Sequence, residues 1–144
     1  MLKSEPNGGM GTMENSELFE LAKKSMDKAY VPYSHFHVGA AILTMSGKYY
    51  SGCNVENAAY PEGTCAEAGA IAAMVRGGDT QIKDIYIMGK GDMLVTPCGG
   101  CRQKIREFAT EQTRIHVCSP TQVQKTLTMD ELLPLSFGPE NLAK

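Results

Sequence analysis

The stretch T-P-C-G-G-C-R-Q, Thr96 to Gln103, limits what this chain can fold into more than any other segment. Cys98 and Cys101 stand at the C-x-x-C spacing that lets two thiolates reach one metal ion, at the front of a helical run from Cys98 to about Ala109. Earlier in the chain, T-C-A-E-A-G-A-I-A-A-M-V opens a second, apolar helix with Cys65 and, two positions on, Glu67. The first turn of a helix carries unpaired N–H groups and the positive end of the dipole, and both favour a thiolate. If the three sulfurs serve one ion, the two helix starts must meet in space, and folds that keep them apart are excluded. On the side of a helix Glu67 would point away from Cys65. At the tip, both side chains can reach a common point beyond the end.

Three sulfur ligands leave one corner of a tetrahedral zinc open, the mark of a catalytic site, and a carboxylate beside it can take a proton from water. Other readings stand alongside. A structural zinc site needs a fourth ligand, for which His35, His37, His116, Cys53 and Cys118 are the candidates, none at the usual short spacing from Cys65. A redox C-G-G-C pair of the thioredoxin kind leaves Cys65 and Glu67 without a part to play. Buried free thiols in a non-enzymatic domain leave the coincidence itself unexplained.

The rest of the chain supplies a frame for two such helices. Asn15 or Ser16 is positioned to cap a helix with Leu18, Leu21, Ala22, Met26 and Ala29 on one face, ending ahead of Pro32. F-H-V-G-A-A-I-L-T reads as a buried strand, M-S-G-K as a turn and Y-Y-S-G-C-N-V-E as the returning strand. Gly77-Gly78 stops the helix that starts at Cys65; I-K-D-I-Y-I-M-G and R-I-H-V-C are two further strands, and Thr128 with Glu131 forms a capping box for a short last helix. A hairpin followed by strand–helix alternation implies an α/β fold, a mixed sheet with helices on its faces. Four strands are clear from the pattern; T-Q-V-Q-K-T-L-T reads as loop.

At 144 residues, with 42% apolar and 21% charged residues, one globular domain over residues 14–144 is expected, behind a polar, glycine-rich leader, 1–13, expected to be disordered. The net charge is −2, no basic cluster occurs, Trp is absent and aromatics make up 7%, which argues against nucleic acid as a partner. No apolar run approaches the ~18 residues a membrane span needs. Five cysteines without a signal-peptide pattern point to a reducing, cytoplasmic setting in which the thiols serve metal or catalysis.

C-A-E followed by P-C-G-G-C resembles the all-cysteine form of the zinc deaminase signature. Together with Y-V-P-Y-S-H-F-H-V-G-A-A, G-C-N-V-E-N-A-A-Y-P-E-G-T-C-A-E, P-C-G-G-C-R-Q-K-I-R-E-F and L-L-P-L-S-F-G-P-E, it makes the chain similar to the small cytidine deaminases from about Leu18 to Leu142. The resemblance implies a three-layer α-β-α fold with a five-stranded mixed sheet, the fifth strand supplied around T-Q-V-Q-K-T-L-T. It implies a homotetramer with sites shared between subunits, and one Zn²⁺ per chain held by Cys65, Cys98 and Cys101. Glu67 is then the proton shuttle for hydrolytic deamination of cytidine and 2′-deoxycytidine in pyrimidine salvage.

The same resemblance assigns substrate contacts. Asn54 and Glu56, two apart at a strand end and so on one face, would hold the ribose 3′-hydroxyl; on local evidence alone they are a polar strand edge. Phe36 would pack on the base, Tyr60 would approach the sugar, the N–H of Ala66 would meet the base carbonyl, and Phe137 would reach into a neighbouring subunit's site. Ala68 stands where many all-cysteine relatives carry an arginine, so Arg102, the helix dipoles or another neighbour is expected to offset the thiolate charge, the plain alternative for Arg102 being a solvated surface side chain. A deaminase for a different aminated pyrimidine is the rival reading, against which the hydroxyl-binding pair Asn54 and Glu56 argues.

Overall fold

Ala40 and Ile42 face one way along the first strand and Ala41 and Leu43 the other, and all four are buried. A strand apolar on both faces must be covered on both, and that sets the three-layer arrangement. The computed structural model describes the backbone of residues 8–142 and the side chains of 15–142. Its elements are α1 (Gly8–Asp27), β1 (Val38–Thr44), β2 (Tyr49–Cys53), α2 (Ala66–Arg76), β3 (Ile82–Gly89), α3 (Gly99–Glu107), β4 (Ala109–Cys118), β5 (Val123–Thr128) and α4 (Met129–Leu132).

The strands form one mixed sheet in the order β2-β1-β3-β4-β5. β1 is antiparallel to both β2 and β3, β3 and β4 are parallel, and β5 returns antiparallel to β4. On one face Leu18, Ala22 and Met26 of α1 pack with Ala41, Leu43, Tyr86, Met88 and Cys118. On the other, Ala66, Ala70, Ile71 and Met74 of α2 and Ile105 of α3 pack with Ala40, Ile42, Ile85, Ile87 and Ile115. α2 lies so close to β2 that a Cβ on Gly52 would run into the backbone of Gly69 and Ala70, so a residue without a side chain is required there.

Two expectations are corrected. The segment T-Q-V-Q-K-T-L-T, a loop by its local pattern and the fifth strand by the resemblance, is the edge strand β5; its burial is low throughout, so the apolar signal that marks an interior strand is missing. α1 begins ahead of the expected cap at Asn15 or Ser16 and takes residues 8–13 into its backbone helix. No proline interrupts that stretch, and extending a helix costs far less than nucleating one. Residues 1–7 of the expected leader lie outside the described residues. The capping box at the last helix is present: Glu131 N–H donates to Thr128 Oγ1 at 3.1 Å, and Thr128 N–H donates to Glu131 Oε1 at 2.9 Å. Among the described residues no helix is long and apolar enough to cross a membrane.

Candidate active site

β2 and β3 run in the same direction, since each is antiparallel to the β1 between them. α2 follows β2 and α3 follows β3, and the two helices share one core on one face of the sheet. Both helix N-termini therefore open at the same carboxyl edge, where α/β sheets place their ligands. The start of β1 lies at that edge as well, with Phe36 just ahead of it, and Asn54 and Glu56 follow the end of β2. An antiparallel bridge between Val55 and Thr64 ties this exit to the residue before Cys65, with N···O distances of 2.9 and 2.8 Å.

Cys65 and Cys98 are the N-caps of α2 and α3, each with extended backbone, and Cys101 lies in the first turn of α3 with 1% exposure. The three Sγ atoms lie within 4.8 Å of one another. Tetrahedral zinc with sulfur at about 2.3 Å sets neighbouring sulfurs about 3.8 Å apart, a spacing inside that limit, so the donor set fits the ion. Among the described residues no fourth His, Cys, Asp or Glu joins the group. His37 Nδ1 is engaged with the Met26 carbonyl at 3.0 Å; His116 lies between Asp84 at 2.8 Å and Thr126 at 2.9 Å, and Cys118 is packed against α1. Among the described residues, none supplies the fourth protein ligand that a closed structural site needs.

The sulfurs differ electrically. N–H groups of Cys101 and Gly100 at the start of α3 draw the Cys98 thiol below its ordinary value, the Cys101 N–H most of all. Burial pushes the Cys101 thiol up, and the Glu67 carboxylate adds to the rise. Cys65 is exposed as a residue, yet desolvation of its sulfur among the other two raises it also. Binding a divalent ion to this set therefore displaces protons, as thiolate sites do.

Glu67 sits in the first turn of α2, 4% exposed, and stands outside the sulfur group. Burial raises its pKa; its own N–H, a hydrogen bond with the Cys101 thiol and the charge of Lys104 pull it back in part. Lys104 folds over the first turn of α3, where a Cβ on Gly100 would stand 3.7 Å from Nζ. Arg102 has a different task from the one expected. Its Nε donates to Pro97 O at 2.9 Å, and its NH1 and NH2 groups donate to Leu132 O at 2.7 Å and to Thr96 Oγ1 at 3.0 Å. The guanidinium thus braces the loop that delivers Cys98, and Lys104, which the sequence reading passed over, is the cation acting on the carboxylate. Its signal was its place one turn beyond Cys101 on α3.

Beside the bridge lies a cleft of about 380 Å³ lined by Tyr33, Ser34, Glu56, Asn57, Tyr60 and Gly63. Glu56 Oε1 accepts the N–H groups of Tyr33 and Ser34 at 3.0 and 3.1 Å, and Oε2 accepts the Ser34 hydroxyl. Ser34 Oγ in turn accepts the Phe36 N–H at 3.0 Å. Asn54 Nδ2 donates to Phe36 O at 2.9 Å, while its Oδ1 accepts the Val38 N–H at 2.9 Å. The Ser34 hydroxyl, first among the causes, holds the Glu56 carboxyl below its usual range. Tyr60 lies in a 3₁₀ turn, Tyr60–Glu62, edge-on to Tyr33 at 6.0 Å. Phe36 is partly exposed, its ring end over Gly89. Ala66 opens α2, where its N–H is one of those the helix leaves unpaired. Phe137 is not among the residues lining the cleft; its carbonyl accepts Gln103 Nε2 at 2.9 Å and its side chain is 58% exposed. Ser34 was absent from the expected site, although S-x-F carries the spacing of a serine turn.

A three-layer α/β fold that gathers three thiols and one buried carboxylate at the carboxyl edge of its sheet defines a class, the α/β proteins equipped for metal-assisted hydrolysis. The family model for the cytidine and deoxycytidylate deaminase zinc-binding region matches residues 12–117. The chain belongs to the cytidine and deoxycytidylate deaminase family and is a hydrolytic deaminase. It is 37% identical over 131 residues to a cytidine deaminase of Sporosarcina psychrophila, covering 91% of this chain and 96% of that one. The crystal structure of cytidine deaminase from Burkholderia pseudomallei superposes with a TM-score of 0.79 at 35% identity, over 85% of this chain and 98% of that one. That of the Mycobacterium tuberculosis cytidine deaminase gives 0.75 at 33%, over 87% and 98%.

Proposed function

We propose that the chain converts cytidine and 2′-deoxycytidine, with water, to uridine and 2′-deoxyuridine plus ammonia. Cys65, Cys98 and Cys101 hold one zinc ion per chain, and Glu67 moves the protons. The observation that carries this reading is the pairing of three sulfurs within 4.8 Å of one another with a buried carboxylate that is not one of them. Such a set provides for holding a metal and for moving a proton with different groups.

Zinc, when bound, supplies Lewis acidity that brings the pKa of water toward neutrality, an effect that three donating thiolates moderate. Glu67 takes a proton from the attacking water and delivers it to ring N3, which makes C4 electrophilic. After addition at C4, Glu67 carries the second proton to the exocyclic nitrogen, which leaves as ammonia. Its burial serves both transfers, because a carboxylate held out of water gives and accepts a proton nearer neutral pH. Asn54 and Glu56 bind the 3′-hydroxyl, Phe36 packs on the base, Tyr60 approaches the sugar and the Ala66 N–H meets the base carbonyl. Phe137 reaches a neighbouring subunit's site in a homotetramer; its exposed ring, and the exposed isobutyl side chain of Leu135 nearby, support an apolar contact between copies. Five free cysteines suit a reducing cytoplasm and a part in pyrimidine salvage.

The test follows the fall in ultraviolet absorbance as purified protein meets cytidine and deoxycytidine, with metal analysis of wild type and Glu67→Gln. Wild type should turn over with about one zinc per chain, and the variant should keep the zinc and lose at least ~10³-fold in kcat. Zinc-loaded, folded wild type that leaves both nucleosides unchanged would refute the substrate assignment.

A further inference from the structure

Ser34 stands between the two halves of the proposed substrate site and has no part in the reaction described so far. Its hydroxyl proton goes to Glu56 Oε2, and its Oγ lone pair receives the Phe36 N–H. The residue between, His35, has φ of 61°, a left-handed conformation that a non-glycine residue holds only when its surroundings fix it. Fixing is ample here. His35 N–H donates to Val31 O at 3.0 Å, the Ser34 and Tyr33 N–H groups bind Glu56, and Asn54 Nδ2 holds Phe36 O.

The bookkeeping of donors shows what remains for a ligand. A carboxylate offers about four acceptor directions. Two backbone N–H groups share Oε1 of Glu56 and the Ser34 hydroxyl takes one direction of Oε2, which leaves one. Glu56 and Ser34 both line the cleft, so a ligand hydroxyl that enters it meets a carboxylate already oriented from the other side.

We propose that Ser34 is a positioning residue that couples sugar recognition to base packing: by joining Glu56 to the Phe36 backbone, its hydroxyl makes the two move as one unit. The inference rests on the sugar role given above to Glu56. Without the hydroxyl, Glu56 Oε2 loses its orienting donor and the Phe36 N–H loses its acceptor, so the link that runs from one to the other past His35 is broken. Glu56, still held at Oε1 by the Tyr33 and Ser34 N–H groups, would then present Oε2 to the nucleoside less firmly aimed.

The experiment measures kcat and KM of the zinc-loaded full chain on cytidine and on 3′-deoxycytidine, which lacks the hydroxyl assigned to Glu56. The variants are Ser34→Ala, Ser34→Thr, Glu56→Gln and the Ser34→Ala/Glu56→Gln pair. Loss of a hydrogen bond to a charged group is worth about tenfold in binding, so Ser34→Ala should lower the preference for cytidine over 3′-deoxycytidine by about that factor. The change should lie in KM, with kcat kept within about twofold, since Ser34 touches no reacting atom. Ser34→Thr should restore the preference, and the double variant should discriminate no less than Glu56→Gln alone. Should Ser34→Ala fail to fold, Ser34→Cys, which keeps the size and weakens both hydrogen bonds, gives the same readout. If Glu56→Gln abolishes the preference while the Ser34 variants slow both substrates equally, Ser34 is a structural residue and the proposal is overturned, with the sugar reading intact. If Glu56→Gln leaves the preference unchanged, the sugar reading fails and this proposal falls with it.

Discussion

Arg102 places all its charge on neutral oxygens: Pro97 O, Thr96 Oγ1 and Leu132 O. A planar fork that joins the approach to Cys98 with the end of α4 is a task lysine cannot perform, because an ammonium has neither the reach nor the geometry. Arg102→Lys is therefore expected to weaken zinc binding by about 10–100-fold, the usual cost of losing a residue that orients a metal ligand. Competition with a chromogenic chelator measures it, and an unchanged affinity would mean that the 96–98 loop holds itself. The meeting of three cysteines at two helix starts, with Glu67 in the first turn of one of them, was legible in the sequence because the C-A-E and C-G-G-C spacings put them there. Ser34, Lys104 and the true partners of Arg102 were not, because their contacts depend on where loops distant in sequence come to lie.

At the scale of elements, the far end of the β1–β2 hairpin is latched to the chain leaving α2. Asp79 accepts the Ser46 hydroxyl at 2.6 Å and the Tyr50 hydroxyl at 2.9 Å. The Ser46 bond, then the Tyr50 bond, hold the Asp79 carboxyl below its ordinary range, with Lys48 adding charge of the right sign. A carboxylate whose folded pKa lies below its unfolded one stabilises fully above the unfolded value and loses that contribution as pH falls through the folded one. Wild type should thus show a higher urea midpoint than Asp79→Asn at pH 7, and the gap should close between about pH 5 and pH 2. A gap that persists into acid would assign the latch to something other than charge.

The elements also show where the pattern of residues speaks clearly. Strands buried on both faces and helices capped by cysteine were readable, as was the capping box before α4. β5 was not, since V-Q-K-T-L-T lies at the sheet's edge, pairs only with β4 and buries little. Its place is decided by its partner strand, which local composition does not report.

For the whole molecule, the three cysteines tie together the starts of α2 and α3, two helices that also touch each other directly and share the core beneath them. An ion bound to the folded chain and not to the unfolded one adds stability by mass action. Zinc at a thousandfold above its dissociation constant is worth about 4 kcal/mol, so its removal by a chelator should lower the melting temperature by roughly 10 °C. Calorimetry of zinc-loaded and stripped protein checks this, and equal melting temperatures after verified removal would mean that the helix ends stay packed unaided.

The two edges of the sheet carry unequal burdens. Phe36, Asn54, Glu56, Cys65, Glu67 and Cys98 all gather where β2 and β3 end and β1 begins. The turn at 45–48, the link at 77–81 and the start of β4 occupy the opposite edge. Descendants of this gene can lengthen, shorten or decorate that far edge without disturbing the chemistry, whereas one residue inserted near the bridge between Val55 and Thr64 would shift the cleft lined by Glu56 and Tyr60 against the three cysteines. Natural variation and grafted peptides should accordingly accumulate at one end of the protein and be purged from the other.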